Sequence, residues 1–174
     1  MTALSTFTHC KVINAIKNFG KVFLSFFGIG YAPIAPGTAG SLAAALGIYF
    51  FQPLIFDYSQ LTKIVILFGI LILLFLVSLF FIKRCAPKNN LDQTWIVSDE
   101  VIGMLISAIP IFFIANNIVS LLVIAFFLFR FFDILKPLGI RKIDQKHSAS
   151  SVILDDVVAG LYSLIVLLVI YILF

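Results

Sequence analysis

An uninterrupted apolar segment, residues 64–82, reads IVILFGILILLFLVSLFFI. A helix that crosses a membrane needs about 20 such residues, so this segment predicts a transmembrane helix. The composition agrees, since 62% of the 174 residues are hydrophobic and only 11% are charged, whereas soluble domains carry about 25% charged residues. A soluble globular domain is excluded, because too few polar side chains remain to cover a water-facing surface.

Further apolar segments extend this prediction to about five transmembrane helices. The stretch 101–129 is too long for one ordinary span, and Pro110 and the Ala-Asn-Asn sequence at 115–117 interrupt it. We divide it into two helices joined by a tight turn at Asn116 and Asn117. The four additional spans are 41–56, 99–115, 118–136 and 157–174. The expected fold class is all-α, a polytopic membrane helical bundle.

The N-terminal segment has a different pattern, in which lysines are interleaved with apolar side chains at roughly helical spacing. A cleaved signal peptide instead has a basic cluster followed by an apolar block. The pattern predicts an amphipathic interfacial helix over residues 1–27, with a partly disordered tail as the alternative. Residues 28–174 would form the membrane-embedded domain. The residues of the pattern are Lys11, Lys17 and Lys21, with Val12, Ile13, Ile16, Phe19, Phe23 and Phe26.

The charged residues indicate how the bundle is oriented. With a cytoplasmic N-terminus, eleven of the twelve lysines and arginines fall in or beside segments 1–40, 83–98 and 137–156, and only Lys63 lies outside. This distribution follows the positive-inside rule. Seven of the eight acidic residues fall at the same end, with Asp57 as the exception. Because the rule does not require acids to collect there, their convergence is the main functional signal in the sequence.

Two acidic pairs are candidate metal ligands: Asp99 with Glu100, and Asp155 with Asp156. Each pair begins a predicted helix, so capping and the helix dipole alone can explain it. However, two such pairs at one interface repel each other unless a cation lies between them. Hard oxygen ligands of this kind suit Mg²⁺, which commonly binds carboxylates and substrate phosphate. Neighbouring helical positions point about 100° apart, so one acid of each pair could bind metal while the other caps or orients.

A third cluster ends the fourth predicted span. Arg130, Asp133 and Lys136 are three residues apart and share one helix face. They can form an ion-paired stripe whose cations reach towards lipid head groups. Alternatively, Asp133 is a ligand or base and the two cations bind phosphate. Arg141 belongs to the basic loop beyond this helix, which also suits anionic lipid in general.

A glycine- and proline-rich segment, GYAPIAPGTAGSLAA at residues 30–44, precedes the first span. Its prolines favour an extended approach, and Gly37 permits a sharp turn. Thr38 or Ser41 can cap the following helix. Free amides at the start of that helix can bind an anion, and Gly40 keeps side chains out of the way. A helix start that only packs is the alternative.

Several kinds of catalytic nucleophile are excluded. Neither Cys10 nor Cys85 has an arginine six residues later, and neither belongs to a Cys-x-x-Cys motif, so the sequence suggests neither a disulfide framework nor a metal knuckle. The chain has no Asp-x-Asp sequence, and its only histidines are His9 and His147. Metal-activated water therefore remains the plausible nucleophile.

Four blocks of the sequence resemble the signature blocks of the phosphatidylglycerophosphatase A family. They are GYAPIAPGTAGSLAA, IVSDEVIGM, FRFFDILKP and ILDDVVAG, in the family's order and at similar spacing from about Phe26 to Gly160. The resemblance implies a bacterial inner-membrane enzyme. It would remove the terminal phosphate from phosphatidylglycerol phosphate in a Mg²⁺-dependent reaction that gives phosphatidylglycerol. The expected partner is this membrane phospholipid, with no nucleic acid, and the active site would lie at the cytoplasmic face.

The resemblance also assigns residues. The family's Lys-Pro pair falls on Lys136 and Pro137, and its acids fall on Asp92, Asp99, Glu100, Asp133, Asp155 and Asp156. We expect Mg²⁺ at the two acidic pairs, and Asp133 or Asp92 to orient or deprotonate the attacking water. Arg130, Lys136 and the amides near Thr38 would stabilise the developing charge. The expected substrate-binding residues are Gly37, Thr38, Gly40, Ser41 and Arg141.

This sequence departs from the family's pattern at two places. Ser98 stands where the family usually has tryptophan or another large residue before the first acidic pair. HSASS, at residues 147–151, replaces a glycine-rich approach to the second pair. The acids themselves are intact.

Two other classes of protein compete with the phosphatase. A small ion or proton transporter subunit would also carry membrane acids, but a carrier should place them near the bilayer midplane rather than at one interface. A structural assembly factor gives no reason for so many acids together.

Overall fold

The computed structural model describes residues 14–87, 90–114, 117–137, 139–146 and 148–173. These residues form seven α-helices and no β-strand, which confirms the all-α prediction. The helices are α1 (14–24), α2 (Pro36–Phe56), α3 (Gln60–Cys85), α4 (Ser98–Ser107), α5 (Ile118–Leu135), α6 (Ile140–Asp144) and α7 (Ser151–Leu173). Two short 3₁₀ segments are Ile29–Tyr31 and Ile109–Phe112.

Among the described residues, four helices are long and apolar enough to cross a membrane: α2, α3, α5 and α7. The prediction of five such helices is wrong in number, because the predicted span 99–115 is not one long helix. It contains the ten-residue α4 and then the 3₁₀ segment Ile109–Phe112. Pro110 lacks a backbone N–H and disfavours helical geometry in the residue before it. The chain therefore leaves the α-helix before it reaches Pro110.

The short helix α4 lies at the centre of the bundle. It packs against α2, α3, α5 and α7, and eight of its ten residues are buried. The long helices instead expose apolar side chains such as Phe50, Leu73 and Phe127. Such exposure suits contact with lipid, whereas α4 is covered by protein.

The helices α2 and α7 begin earlier than the sequence indicated. α2 begins at Pro36 rather than at 41, and α7 begins at Ser151 rather than at 157. The acids Asp155 and Asp156 therefore lie inside a helix instead of in front of one. The start of α2 likewise includes Gly37, Thr38, Gly40 and Ser41 of the glycine- and proline-rich segment.

The N-terminal helix α1 covers residues 14–24, inside the predicted amphipathic segment, and residues 1–13 lie outside the described part of the chain. Phe19 and Val22 are exposed, whereas Leu24 is fully buried. The amide of Val97 donates a hydrogen bond to the carbonyl oxygen of Leu24 at 2.9 Å. This bond joins the end of α1 to the residue before α4. The division into residues 1–27 and 28–174 stays a prediction.

Candidate active site

Three carboxylates from α4 and α7 form what we call the acidic triad: Asp99, Glu100 and Asp156. Asp99 and Glu100 lie in the first turn of α4, and Asp156 lies in α7. One carboxylate oxygen from each residue lies within 4.8 Å of the others. Asp99 and Asp156 are buried, and Glu100 is partly buried. Of the four predicted metal ligands, the structure therefore brings these three together.

Two glycines hold α4 and α7 close together beside the triad. Gly103 follows Asp99 by four residues, and Gly160 follows Asp156 by four, so each glycine shares a helix face with its acid. A Cβ at Gly160 would lie 2.5 Å from the carbonyl oxygen of Gly103, and one at Gly103 would lie 2.8 Å from that of Asp156. Glycine permits this close backbone approach. This close contact brings Asp99 and Asp156 near each other, one helical turn away from the two glycines.

Serines, rather than acids, cap the start of α7. The amide of Ser151 donates to Ser148 Oγ at 3.1 Å, and the amide of Ser148 donates to Ser151 Oγ at 2.8 Å. This reciprocal pair satisfies backbone donors in the manner of a capping box. Capping therefore does not account for Asp155 and Asp156. The serines of the HSASS sequence take that role.

The first turns of α2 lie against the site. The helix begins at Pro36, its N-cap residue Ala35 has φ 49°, and it has no side-chain cap. Thr38 and Ser41, the expected caps, therefore lie within the helix. Ser41 Oγ donates a hydrogen bond to the carbonyl oxygen of Gly37 at 2.8 Å, while Thr38 is half-buried.

Two glycines of α2 have different neighbours. A Cβ at Gly37 would collide with the Glu100 carboxylate and would lie 3.4 Å from Nη1 of Arg130. The backbone of Gly37 is therefore next to both the triad and a cation. Gly40 instead faces Val97, whose Cβ would lie 2.8 Å from an added Cβ. Gly40 allows α2 to approach the start of α4.

Arg130 of α5 links the triad to α2. Its Nη1 lies 2.6 Å from Asp133 Oδ2 and donates to Ser41 Oγ at 3.4 Å. Its Nε is buried without a hydrogen-bond partner among the described residues. Asp133 in turn interacts electrostatically with Glu100 and Asp156. The predicted face of α5 is thus part of the same cluster.

Lys136 follows α5 and pairs with two aspartates. Its Nζ lies 2.7 Å from Asp155 Oδ2 and 2.9 Å from Asp144 Oδ1. Burial lowers the pKa of Lys136, but hydrogen bonds to the two aspartates and their charges outweigh burial and raise its pKa above the usual 10.5. Lys136 is therefore protonated at physiological pH. Asp155, a predicted metal ligand, uses one oxygen for this lysine, and its Oδ1 is buried without a hydrogen-bond partner in the described structure.

The cluster contains more acidic than basic side chains. Its two cations are Arg130 and Lys136, and its carboxylates are Asp99, Glu100, Asp133, Asp155 and Asp156. Buried carboxylates at this spacing repel one another unless they are protonated or neutralised by a cation. Among the described atoms, Glu100 Oε2 is also a buried acceptor without a hydrogen-bond partner. Carboxylate oxygens are the ligands that hard divalent cations prefer. The residues therefore fit a divalent metal ion, which the acidic triad could hold.

Two predicted site residues lie at the exposed edge of the structure. Asp92 is exposed before α4, and Arg141 is exposed on α6. Within the described part of the chain, neither takes part in an ion pair. Their roles stay predictions.

The sequence reasoning missed Gly103, Gly160 and Asp144. DEVIG and DVVAG share an Asp-x-x-x-Gly pattern, and this pattern could have indicated an acid and a close helix contact on one face. Asp144 gave no such signal, because its contact with Lys136 depends on how the chain turns between α5 and α6.

The bundle and its polar cluster define a multi-pass membrane protein whose acidic triad could hold a metal ion beside the buried side chain of Arg130. The phosphatidylglycerophosphatase A family matches residues 22–171, and the chain belongs to this family, as the sequence predicted. It is therefore a lipid phosphatase of that family. No solved structure matches it.

Three relatives illustrate the similarity. Phosphatidylglycerophosphatase A of Escherichia coli is 36% identical over 138 residues, which is 79% of this chain and 74% of the relative. The Haemophilus influenzae protein of the same name is 36% identical over 151 residues, or 80% and 81% of the two chains. A Bacteroides thetaiotaomicron protein, provisionally named a phosphatidylinositol-3-phosphatase, is 34% identical over 154 residues, or 82% and 87%.

Proposed function

We propose that this protein removes the terminal phosphate from phosphatidylglycerol phosphate in a Mg²⁺-dependent reaction of bacterial phospholipid synthesis. The observation that carries the proposal is the buried acidic triad beside Arg130 and the first turns of α2. This arrangement combines ligands for a divalent cation with a guanidinium suited to a phosphate group. Membership of a family of lipid phosphatases supports the reaction type.

Hydrolysis of the phosphomonoester requires water to attack phosphorus and the bond from phosphorus to the lipid oxygen to break. That oxygen then needs a proton, and the attacking water must lose one. Asp99, Glu100 and Asp156 would hold the divalent cation, and the buried Oδ1 of Asp155 is a further candidate ligand. When bound, such a cation supplies Lewis-acid chemistry, drawing charge from the phosphoryl oxygens and activating water.

Positive groups around the triad would bind and orient the phosphate. Arg130 has a buried Nε without a partner in the described residues, and its Nη1 lies near Gly37 and Ser41. Backbone amides in the first turn of α2 favour an anion at the same place. Lys136 adds a second positive charge, and its ion pair with Asp155 of α7 holds that charge in place. These groups would stabilise the charge that develops on the phosphoryl oxygens.

Asp133 is the better-supported residue for accepting the proton of the attacking water. Arg130 fixes one of its oxygens at 2.6 Å, and its carboxylate adjoins the acids of the triad. A base needs to lie within hydrogen-bond reach of the proton that it removes. Asp92, the other candidate, is exposed in the segment before α4.

The proposed location is the bacterial cytoplasmic membrane, with the site at its cytoplasmic face. The distribution of lysine and arginine supports this orientation, since all but Lys63 fall at or near the same end as the acids. The position of the acidic residues at one end of the helices disfavours a transporter subunit, because a transporter would need ionisable groups near the bilayer midplane.

The identity of the lipid head group is the finer part of the proposal. Two relatives are named for phosphatidylglycerol phosphate, and a third is named for phosphatidylinositol 3-phosphate, at nearly equal identity. Phosphate release should be measured from both lipids with the same purified protein in mixed micelles. We expect the higher kcat/KM for phosphatidylglycerol phosphate. Preference for the inositol lipid would refute the proposed substrate while leaving the phosphatase assignment intact.

Substitutions in the triad test the metal site. Asp99→Asn and Asp156→Asn keep the size of the side chain but remove the negative charge that a hard divalent cation requires. We expect phosphate release to fall by about 10²-fold or more, or to need much higher Mg²⁺ for the same rate. Asp57→Asn is the matched control, because Asp57 is exposed at the opposite end of α2. Wild-type rates and Mg²⁺ dependence in both triad variants would overturn the proposal.

A further inference from the structure

An apolar groove of about 260 Å³ is lined by residues of α2 and α3 and by residues of α4 and the 3₁₀ segment that follows it. All of the side chains that line it are apolar. Its buried lining residues include Ala44 and Ile48 of α2, Val101 of α4 and Phe112 of the 3₁₀ segment. Because α2 and α3 are lipid-facing helices, the groove opens where the bilayer would lie.

The groove begins next to the acidic triad. Val101, which lines it, directly follows Glu100, and Ala44 lies three residues after Ser41. One turn of helix rises about 5.4 Å. The end of the groove is therefore about one turn away from the groups assigned to the phosphate.

The groove runs along α2 away from the triad, towards the opposite end of that helix. Along α2 it extends from Ala44 to Ile55, eleven residues or about 16 Å at about 1.5 Å per residue. Half of a hydrocarbon core of about 30 Å is about 15 Å, or about ten residues of helix. α2 has 21 residues and Ile55 is next to its last one, so a chain that enters at the triad would occupy the near end of the groove, around Ala44 and Gly47.

We propose that this groove holds one acyl chain of the lipid whose phosphate is hydrolysed, a proposal that rests on the function proposed above. Bilayer lipid is as apolar as the groove, so the groove contributes little transfer energy. Its contribution is orientation, because a chain fixed between α2 and α3 restricts the position of the phosphate at the triad. The site thereby selects a phosphate on a long-chain lipid over a water-soluble phosphomonoester.

A second apolar hollow, between α2 and α5, is the competing place for the chain. It is lined by strongly exposed side chains, including Leu42, Leu46, Val123 and Phe127. Ala45 and Leu122 are its buried lining residues, and no residue of α4 lines it. Its residues serve as the comparison in the experiment.

The chain offers a matched pair of variants. Gly47 lines the groove, and a Cβ added there meets nothing within 4 Å. Gly69 on α3 has equally open surroundings and does not line the groove. Gly47→Leu would therefore place a side chain in the groove with no clash at its Cβ, while Gly69→Leu makes the same change outside the groove. Both replacements raise helix propensity to the same extent.

Kinetics with long-chain and dibutyryl phosphatidylglycerol phosphate give the first measurement. We expect Gly47→Leu to lower kcat/KM for the long-chain lipid about 10- to 100-fold, and to affect the dibutyryl lipid far less. Gly69→Leu should match wild type on both. Equal losses on the two lipids, or no loss on the long-chain lipid, would overturn the proposal.

Photo-crosslinking gives a second measurement that does not depend on turnover. The probe is phosphatidylglycerol phosphate with a diazirine in one acyl chain, and unlabelled lipid is the competitor. We expect competed crosslinks on groove residues such as Leu71 and Leu105, and their loss in Gly47→Leu. Competed crosslinks at Leu46 or Val123 instead would refute the groove. Competed groove crosslinks in a protein that releases no phosphate would support the groove and refute the proposed function.

Discussion

Replacing Gly160 by alanine would put a methyl group where α7 touches the backbone of α4. The added Cβ would lie 2.5 Å from the carbonyl oxygen of Gly103 and 3.1 Å from Cβ of Ile106. An ordinary carbon–oxygen contact is about 3.3–3.6 Å, so the two helices must separate locally by about 1 Å. The carbonyl oxygen belongs to helix backbone, so no side chain can rotate to make room.

This separation would act on the acidic triad one turn away. Its ligand oxygens come from both helices and lie within 4.8 Å of one another. Mg²⁺ requires oxygen ligands at about 2.0–2.1 Å in near-ideal geometry, and a displacement of about 1 Å can cost about 10²-fold in rate. We expect Gly160→Ala to lower phosphate release about 100-fold and to raise the Mg²⁺ concentration needed for half-maximal rate. Overpacking should also lower the free energy of unfolding by about 1–3 kcal/mol.

The assay is phosphate release against Mg²⁺ concentration, at equal amounts of folded protein confirmed by thermal unfolding in detergent. Gly69→Ala is the control, because a Cβ there meets nothing within 4 Å, and alanine is the better helix former. The reasoning would be refuted by a Gly160→Ala protein that keeps the wild-type rate and the wild-type Mg²⁺ dependence. Loss of folded protein without any change in rate per folded molecule would refute it equally, since the contact would then support only stability.

Arg130→Lys keeps the positive charge but cannot contact Asp133 and Ser41 through one planar group. We expect kcat/KM to fall about 10-fold or more, without rescue by added Mg²⁺; rescue by Mg²⁺ would instead assign Arg130 to support of the metal ligands. For orientation, single cysteines at Asn117 and Lys146, in a background without Cys10 and Cys85, should react with an impermeant reagent from outside and inside respectively. The reverse labelling would contradict the proposed cytoplasmic site.

The sequence was sufficient to predict a membrane protein of this family, because that conclusion depends on local composition and on short motifs. Residues 64–82 and 157–174 are apolar enough to cross a membrane in any fold that keeps them helical. The four signature blocks predicted the family that matches residues 22–171. The sequence also indicated which acids could serve as ligands. They collect at one end of the predicted helices, although the positive-inside rule does not require acids to be there.

Helix bounds were less predictable at the places where polar side chains begin a helix. The predicted starts of α2 and α7 followed hydropathy, whereas the actual starts are set by Pro36 and by the paired serines Ser148 and Ser151. The predicted span 99–115 failed for a related reason. Hydropathy does not distinguish a helix that crosses lipid from a short one, such as α4, that is surrounded by other helices.

Only the tertiary structure decided which of the acids lie together. Asp155 and Asp156 are neighbours in the sequence, but adjacent helical positions point about 100° apart. Asp156 therefore joins the acidic triad, whereas Asp155 contacts Lys136. Which of the two aspartates meets the triad depends on how α7 packs against α4 and α5, through contacts such as that of Gly103 with Gly160. Those contacts join residues that are far apart in the chain. The sequence around each residue does not show how close the two will be in the folded protein.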